Sequence, residues 1–429
     1  NMPRDCPVDV AVLEEIAAKH GTPFQLYDEA GIRDNIRGLL SSFGGSFPGF
    51  VQFFAVKALP NPAILKLLVN EGCGLDCSSA SELYIAKQLG LPGERVMYTS
   101  NYTSQEDLGT AFDQGVIINL DDISLVDSLV AARGRCPDLI SFRLNPGLGR
   151  TDSETVSNVL GGPDAKFGVP PFQIVEAYRK ARDAGAKRFG IHMMTGSCVL
   201  NNDYWVETVT RLFDTIAEIK AKLDINFEMV NIGGGLGVTY KPDQPVVDVP
   251  ALVKILRGVV DAKVAEHKIQ EPILCMENGR YVTGPHGYLV SRCHAIKDTY
   301  AKYYGLDACM SNLMRPGMYG SYHYISVPKH DGGKVAPPKD DWKPANVVGT
   351  LCENNDWFCK DRLLPPATAI GDLFVIHDSG AHAHSMGFQY NGKLRAPELL
   401  LRPDGQVAVI RDRETIARLY ENTHIPDGI

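Results

Sequence analysis

The chain has 429 residues, 44% hydrophobic and 22% charged, a globular composition with enough apolar material for more than one core. Its formal net charge of −8 argues against the basic face that nucleic acid or an anionic membrane would select, so neither is expected as a partner. No stretch approaches about 18 uninterrupted apolar residues, so no membrane-spanning helix is expected either.

The N-terminus, Asn1-Met2-Pro3-Arg4-Asp5-Cys6, lacks a basic region followed by an apolar run and does not read as a secretory signal. A transit peptide removed beforehand is left open. The ten cysteines are scattered, with no CxxC pair and no Cys/His cluster of zinc spacing. No metal site is expected. Free thiols of this kind suit a reducing compartment, and a cytoplasmic location is expected.

Val10 to Lys19 has the pattern of an amphipathic helix ending at Gly21, and Phe24 to Tyr27 that of a short strand. From there to about residue 285, short apolar runs alternate with helical patterns. The runs are Val51–Val56, Val96–Thr99, Val116–Leu120, Leu139–Leu144, Phe189–Met193, Phe227–Ile232 and Ile273–Glu277. Helical stretches between them include Pro62–Glu71, Ser79–Leu89, Pro171–Ala184 and Tyr204–Leu223. Such alternation predicts a parallel α/β fold. Seven or eight units suit a closed (β/α)8 barrel of the TIM type better than an open sheet. Beyond residue 285 the runs Gly287–Arg292, Ala345–Leu351, Leu373–His377 and Gln406–Ile410 are separated by turns rich in Pro and Gly. Pro328 to Pro344 is polar and proline-rich and reads as a loop or edge connection. The C-terminal third is expected to be a mainly β domain.

Four features could carry chemistry. Lys57 directly follows the apolar strand Val51–Val56, and the carboxyl ends of barrel strands are where such folds build their sites. A lysine there can form an imine with an aldehyde cofactor; taken alone, a strand-end lysine more often reaches to solvent. Asn231-Ile232-Gly233-Gly234-Gly235-Leu236-Gly237 lets backbone N–H groups converge on a phosphate. It lacks the third glycine of a dinucleotide fingerprint, and a bare tight turn is the plain alternative. In Met276-Glu277-Asn278-Gly279-Arg280, Glu277 could keep a pyridinium nitrogen protonated, or simply pair with Arg280. Cys352, beside Glu353, could transfer a proton, although a lone cysteine is more often structural.

In order along the chain, these features resemble the fold-type III decarboxylases of diaminopimelate and ornithine. The resemblance runs from Thr22-Pro23-Phe24 to Glu398. It includes Ala55-Val56-Lys57-Ala58, Gly74-Leu75-Asp76, Ser81-Glu82-Leu83, Arg143-Leu144-Asn145-Pro146, Arg315-Pro316-Gly317-Met318-Tyr319 and Ser385-Met386. Lys166-Phe167-Gly168, and Glu353 directly after Cys352, favour the diaminopimelate branch. The resemblance implies a barrel over 33–285 and a β domain from 1–32 and 286–429. It implies pyridoxal 5'-phosphate as cofactor and a small amino-acid substrate, with meso-diaminopimelate first and a D-lysine or D-ornithine type next. It makes Lys57 the Schiff-base lysine and Glu277 the partner of the ring nitrogen. Ser197, Gly233, Gly234, Gly235 and the backbone of Glu277, Asn278, Gly279 and Arg280 would hold the phosphate. Arg280, Arg315, Tyr319 and Glu353 would contact substrate. Cys352 would deliver a proton, and it and Glu353 would enter from the second subunit of a two-fold homodimer.

Three positions depart from the family pattern. Met194 stands where a histidine usually stacks on the pyridine ring; a thioether can pack on a π face. His382 stands where Gly-Ala-Tyr has tyrosine near the cofactor and substrate. The usual Glu-Pro-Gly-Arg is here Glu277-Asn278-Gly279-Arg280. Two other readings compete with this one. A barrel alanine racemase is opposed by Glu277, since racemases place arginine at the ring nitrogen. An inactive relative acting by binding a partner is opposed by the joint retention of Lys57, Glu277, Cys352 and the glycine run.

Overall fold

The structure, a computed structural model, describes residues 5–91, 93–148 and 160–429. The N-terminal residues Asn1 to Arg4, part of the segment read against a secretory signal, lie outside the described residues. The chain forms two compact units. One comprises Arg33–Val238 and Val246–Val282; the other comprises Asn1–Ile32, Thr239–Pro245 and Thr283–Ile429.

The chain begins with helix α1 (Val10–His20), strand β1 (Phe24–Asp28) and helix α2 (Glu29–Gly44). Eight parallel strands follow: β2 (Val51–Ala55), β3 (Gly74–Cys77), β4 (Val96–Thr99), β5 (Ile117–Leu120), β6 (Leu139–Leu144), β7 (Arg188–Met193), β8 (Phe227–Asn231) and β9 (Ile273–Met276). They pair in sequence order, and β9 returns to β2 through Cys275 opposite Val51, so the barrel closes. Helices α3 (Pro62–Asn70), α4 (Ala80–Gln88), α5 (Gln105–Asp113), α6 (Leu125–Arg133), α7 (Pro171–Asp183), α8 (Asn202–Leu223) and α9 (Val249–His267) lie between the strands in the chain.

Local sequence sets these boundaries. The side chains of Asn61, Ser79, Ser104, Asn201 and Asp248 each accept a backbone N–H in the first turn of α3, α4, α5, α8 and α9. Glu82 reaches back from α4 to the N–H of Ser78 at 2.6 Å, so the start of that helix is tied from both sides. Inside the barrel, Phe53, Met97, Ile117, Leu139, Met229 and Cys275 from six strands form one apolar cluster. The expected closed barrel is borne out. Strand β3 was not among the apolar runs because Gly74-Leu75-Asp76-Cys77 has two poor strand formers in four residues.

The second unit holds α10 (Arg280–Thr283) in part, β10 (Gly287–Asp298), β11 (Lys302–Leu306), α11 (Arg315–Tyr319), β12 (Ile325–Ser326), α12 (Pro328–Asp331), β13 (Lys343–Val348), β14 (Trp357–Leu364), β15 (Leu373–Ile376), β16 (Glu398–Leu401) and β17 (Val407–Arg411). Its sheet runs β14-β13-β11-β10-β1-β16-β17, with β15 also on β10 and β12 on β15. Strand β1 sits between β10, antiparallel, and β16, parallel, so the N-terminal segment completes the mainly β unit as expected. Alternate residues of β10 and β15 face two cores. Tyr288, Val290, Leu373 and Val375 pack with α1, whereas Leu289, Phe374 and Ile376 pack on the other side. The stretch from Pro328 opens with one helical turn rather than loop throughout, since Pro328 takes the first helical position and Gly332 closes the turn at φ +71°. Among the described residues no helix is long and apolar enough to cross a membrane.

The backbone comes very close to itself at Gly380, just before His382. A Cβ there would lie 2.0 Å from the carbonyl oxygen of Thr283. Overpacking costs about 1 to 3 kcal/mol, so Gly380→Ala should lower the melting temperature clearly, while Gly258→Ala, in α9 with nothing within 4 Å of an added Cβ, should not. Thermal unfolding of both variants checks this; equal melting temperatures would contradict it.

Candidate active site

In the barrel unit the polar groups gather at the carboxyl ends of the strands. Lys57 lies in a single 3-10 turn, Val56–Ala58, directly after β2, and its side chain is exposed. Glu277 follows β9 and is buried. A buried carboxylate needs donors, and Glu277 has two close ones. His192 on β7 brings Nε2 to 3.0 Å from its Oε2, and Asn231 on β8 donates Nδ2 to its Oε1 at 2.8 Å. Burial pushes Glu277 upward, but the His192 imidazole, the Lys57 ammonium and the Arg143 guanidinium outweigh it and hold the carboxyl below its ordinary value. Asp76 on β3 goes the other way. Burial raises it well above the ordinary range and the charge of Glu277 adds to this, against Lys57. Two neighbouring carboxyl groups are thus driven apart, one ionised and one favouring its proton.

The glycine run lies beside this carboxylate. The N–H of Glu277 donates to the carbonyl of Gly233 at 2.9 Å, and the N–H of Gly233 donates to Asn231 Oδ1, also at 2.9 Å. A Cβ on Gly234 would stand 2.5 Å from the carbonyl oxygen of Glu277, and one on Gly235 2.7 Å from that of Gly196. Only glycine permits this approach. Met194 lies along the run, with Sδ 3.0 Å from where a Cβ of Gly233 would be. Arg280 donates Nη2 toward Ser197 Oγ at 3.4 Å, which sets a cation and a hydroxyl in one place. Asn278 gives its family departure a physical reason. Its Oδ1 accepts the N–H of Leu236 at 3.2 Å and its Nδ2 donates to Gln52 at 3.1 Å. A proline could make neither bond. Gly279 is packed against Ala58, next to Lys57. A glycine cradle beside a cation suits a phosphate. The anchored carboxylate suits a ring N–H and the lysine an aldehyde, so the residues present fit pyridoxal 5'-phosphate.

The other proposed site residues lie in the second unit. Arg315 is buried and donates Nη1 to Tyr240 Oη at 3.1 Å and to His323 Nε2 at 2.9 Å. Tyr319 ends the same short helix and is half-buried. Cys352 and Glu353 are exposed on a loop pinned by Asp356, whose carboxylate accepts the N–H groups of Met310 at 2.6 Å and Leu351 at 2.7 Å. His382 is half-buried with φ +56°. His192, Asn231, Asp76 and Arg143 had no role assigned from the sequence, although the last three stand within its motifs. Each is a buried polar residue on a barrel strand, which is a signal the sequence offers.

A lysine at a strand end, a held carboxylate and a backbone cradle on one barrel are the needs of a pyridoxal enzyme of the barrel class. Comparison with known proteins narrows this. The family model for "Pyridoxal-dependent decarboxylase, pyridoxal binding domain" matches residues 33–284. Protein TabA of Pseudomonas amygdali pv. tabaci is 42% identical over 404 residues, 94% of this chain and 91% of that protein. The diaminopimelate decarboxylase of Methanothermobacter thermautotrophicus is 36% identical over 414 residues, covering 96% and 94%. Among solved structures, the diaminopimelate decarboxylase of M. jannaschii in co-complex with L-lysine superposes with a TM-score of 0.86 at 30% identity, over 97% of this chain and 94% of that one. The chain belongs to the pyridoxal-dependent decarboxylase family. It is an enzyme that uses pyridoxal 5'-phosphate to decarboxylate an amino acid.

Gly234→Ala should weaken the affinity for pyridoxal 5'-phosphate by at least about 10-fold, equivalent to ~1.4 kcal/mol. Titration of the cofactor-free protein by fluorescence reads this out, and unchanged affinity would remove the glycine run from the cofactor site.

Proposed function

We propose that the chain decarboxylates meso-diaminopimelate to L-lysine and CO2, as a homodimer whose two sites are each shared between subunits. The observation that carries the substrate is the near-full-length likeness, in sequence and fold, to proteins named diaminopimelate decarboxylase. A second reading, a D-lysine or D-ornithine type of activity, draws on Met194 and His382 standing at family site positions. It also draws on the 42% identity to TabA, whose name gives no diaminopimelate activity. Ten free cysteines suit the cytoplasm.

When bound, the cofactor supplies an electron sink for the pair left on Cα as CO2 departs. Lys57, brought to the site by the end of β2, would hold the cofactor through its amine. Glu277, ionised and held by His192 and Asn231, keeps the ring nitrogen protonated. Arg280, Ser197 and the N–H groups of Gly233 to Gly235 hold the phosphate and so fix the ring. Cys352 Sγ delivers the proton to Cα. Glu353 would accept from the distal ammonium, Arg280 and Arg315 would each donate to the distal carboxylate, and Tyr319 would contact the substrate. The exposure of Cys352 and Glu353 on one chain supports their use in a partner's site.

Lys57→Ala and Cys352→Ala should each be nearly inactive. Mixed and allowed to exchange subunits, they should recover part of the wild-type CO2 release, because one hybrid site is intact. No recovery after proven exchange would overturn the shared site. Arg315→Ala should lower kcat/KM for meso-diaminopimelate about 10- to 150-fold, the loss of a charge-assisted hydrogen bond. D-lysine, which has no distal carboxylate, should be affected far less. Equal losses would make Arg315 structural, and a wild-type preference for D-lysine or D-ornithine would replace the substrate.

A further inference from the structure

His192 lies in β7, in register with Arg143 on β6 and Asn231 on β8. It is completely buried, a costly place for a ring with two polar nitrogens. Nδ1 meets no hydrogen-bond partner among the described residues, whereas Nε2 lies 3.0 Å from Glu277 Oε2. The ring therefore commits its one hydrogen bond to the carboxylate. An ionised carboxylate only accepts, so the shared proton sits on Nε2.

Asn231 completes the hold. It donates to Oε1 of Glu277 at 2.8 Å, and its own oxygen accepts the N–H of Gly233 at 2.9 Å. Each carboxylate oxygen thus has one donor, and the two donors stand on adjacent strands in register. Rotation of the carboxyl group would break both bonds. Thr99 Oγ1 also points at Oε1, but at 3.5 Å it is too long to hold the group.

We propose that His192 is a positioning residue, which with Asn231 fixes Glu277 in the orientation that meets the ring nitrogen of bound pyridoxal phosphate. This rests on Glu277 being the partner of that nitrogen. The one hydrogen bond His192 makes among the described residues goes to Glu277. Its effect passes through Glu277, and so it depends on the presence of the ring nitrogen.

The test compares the affinity of the full-length, cofactor-stripped protein for pyridoxal 5'-phosphate and for its 1-deaza analogue, which lacks the ring nitrogen. Wild type should prefer the natural cofactor. His192→Leu should reduce that preference about 10-fold or more, the loss expected when a bond to a charged group disappears, while affinity for the deaza analogue stays nearly constant. His192→Gln, whose amide reaches the place of Nε2, should retain most of the preference. His192→Asn, too short to reach, should lose it and serves if the Leu variant does not fold. Equal weakening for both ligands, or an unchanged preference, would overturn the proposal. Glu277→Ala separates the two claims. If it loses the preference and the His192 variants keep it, Glu277 is the partner and His192 does not position it. If Glu277→Ala keeps the preference, the role of Glu277 fails and the inference with it.

Discussion

A negative charge held inside a parallel barrel is the constraint from which the site follows. Glu277 is withdrawn from water at the end of β9, where an unpartnered carboxylate would take up a proton and lose its use. Two neutral-capable donors on adjacent strands, His192 and Asn231, and the charges of Lys57 and Arg143 keep it ionised. The same electrostatics act oppositely on Asp76, which has burial and a like charge but weaker compensation. Two buried carboxyl groups near a single lysine are thus pushed in opposite directions, Glu277 toward its charged form and Asp76 away from it.

The hydrogen bonds that hold this charge also shape the glycine run. Asn231 joins Glu277 to Gly233, Glu277 itself donates its N–H to Gly233, and Asn278 joins the next residue of the strand end to Leu236. The glycine run is therefore not a free loop. It is stitched to the strand that carries the carboxylate, so the separation of the glycine run from Glu277, the proposed phosphate and ring-nitrogen sites, is set by the barrel. Three consecutive glycines are the condition for that stitching, because side chains at Gly234 and Gly235 would collide with neighbouring backbone. Asn278 and Gln52 show how a family position can change chemistry while the strand end stays fixed.

Much of this was legible in the sequence, and the exceptions have physical reasons. Parallel strands buried on both faces leave continuous apolar runs, so seven of the eight barrel strands could be read directly. Strand β3 could not, since its Gly74 and Asp76 serve close packing and the site rather than strand propensity. In the β unit, the edge strand β14 left no apolar run long enough to read, because Lys360, Asp361 and Arg362 interrupt it. Lys57, the glycine run and Glu277 were legible because each sits just past a strand end. His192 and Asn231 were not, because their roles exist only through a partner 85 and 46 residues away in the chain. A histidine in an apolar strand otherwise looks like any buried histidine.

The central claim is that one lysine at the end of β2 carries the cofactor. Borohydride reduction of the cofactor-loaded enzyme, followed by digestion and mass spectrometry of the peptides, tests it directly. The account predicts a single pyridoxyl-phosphate adduct, on the peptide that contains Lys57. An adduct on another lysine, or none at all in fully loaded enzyme, would contradict it.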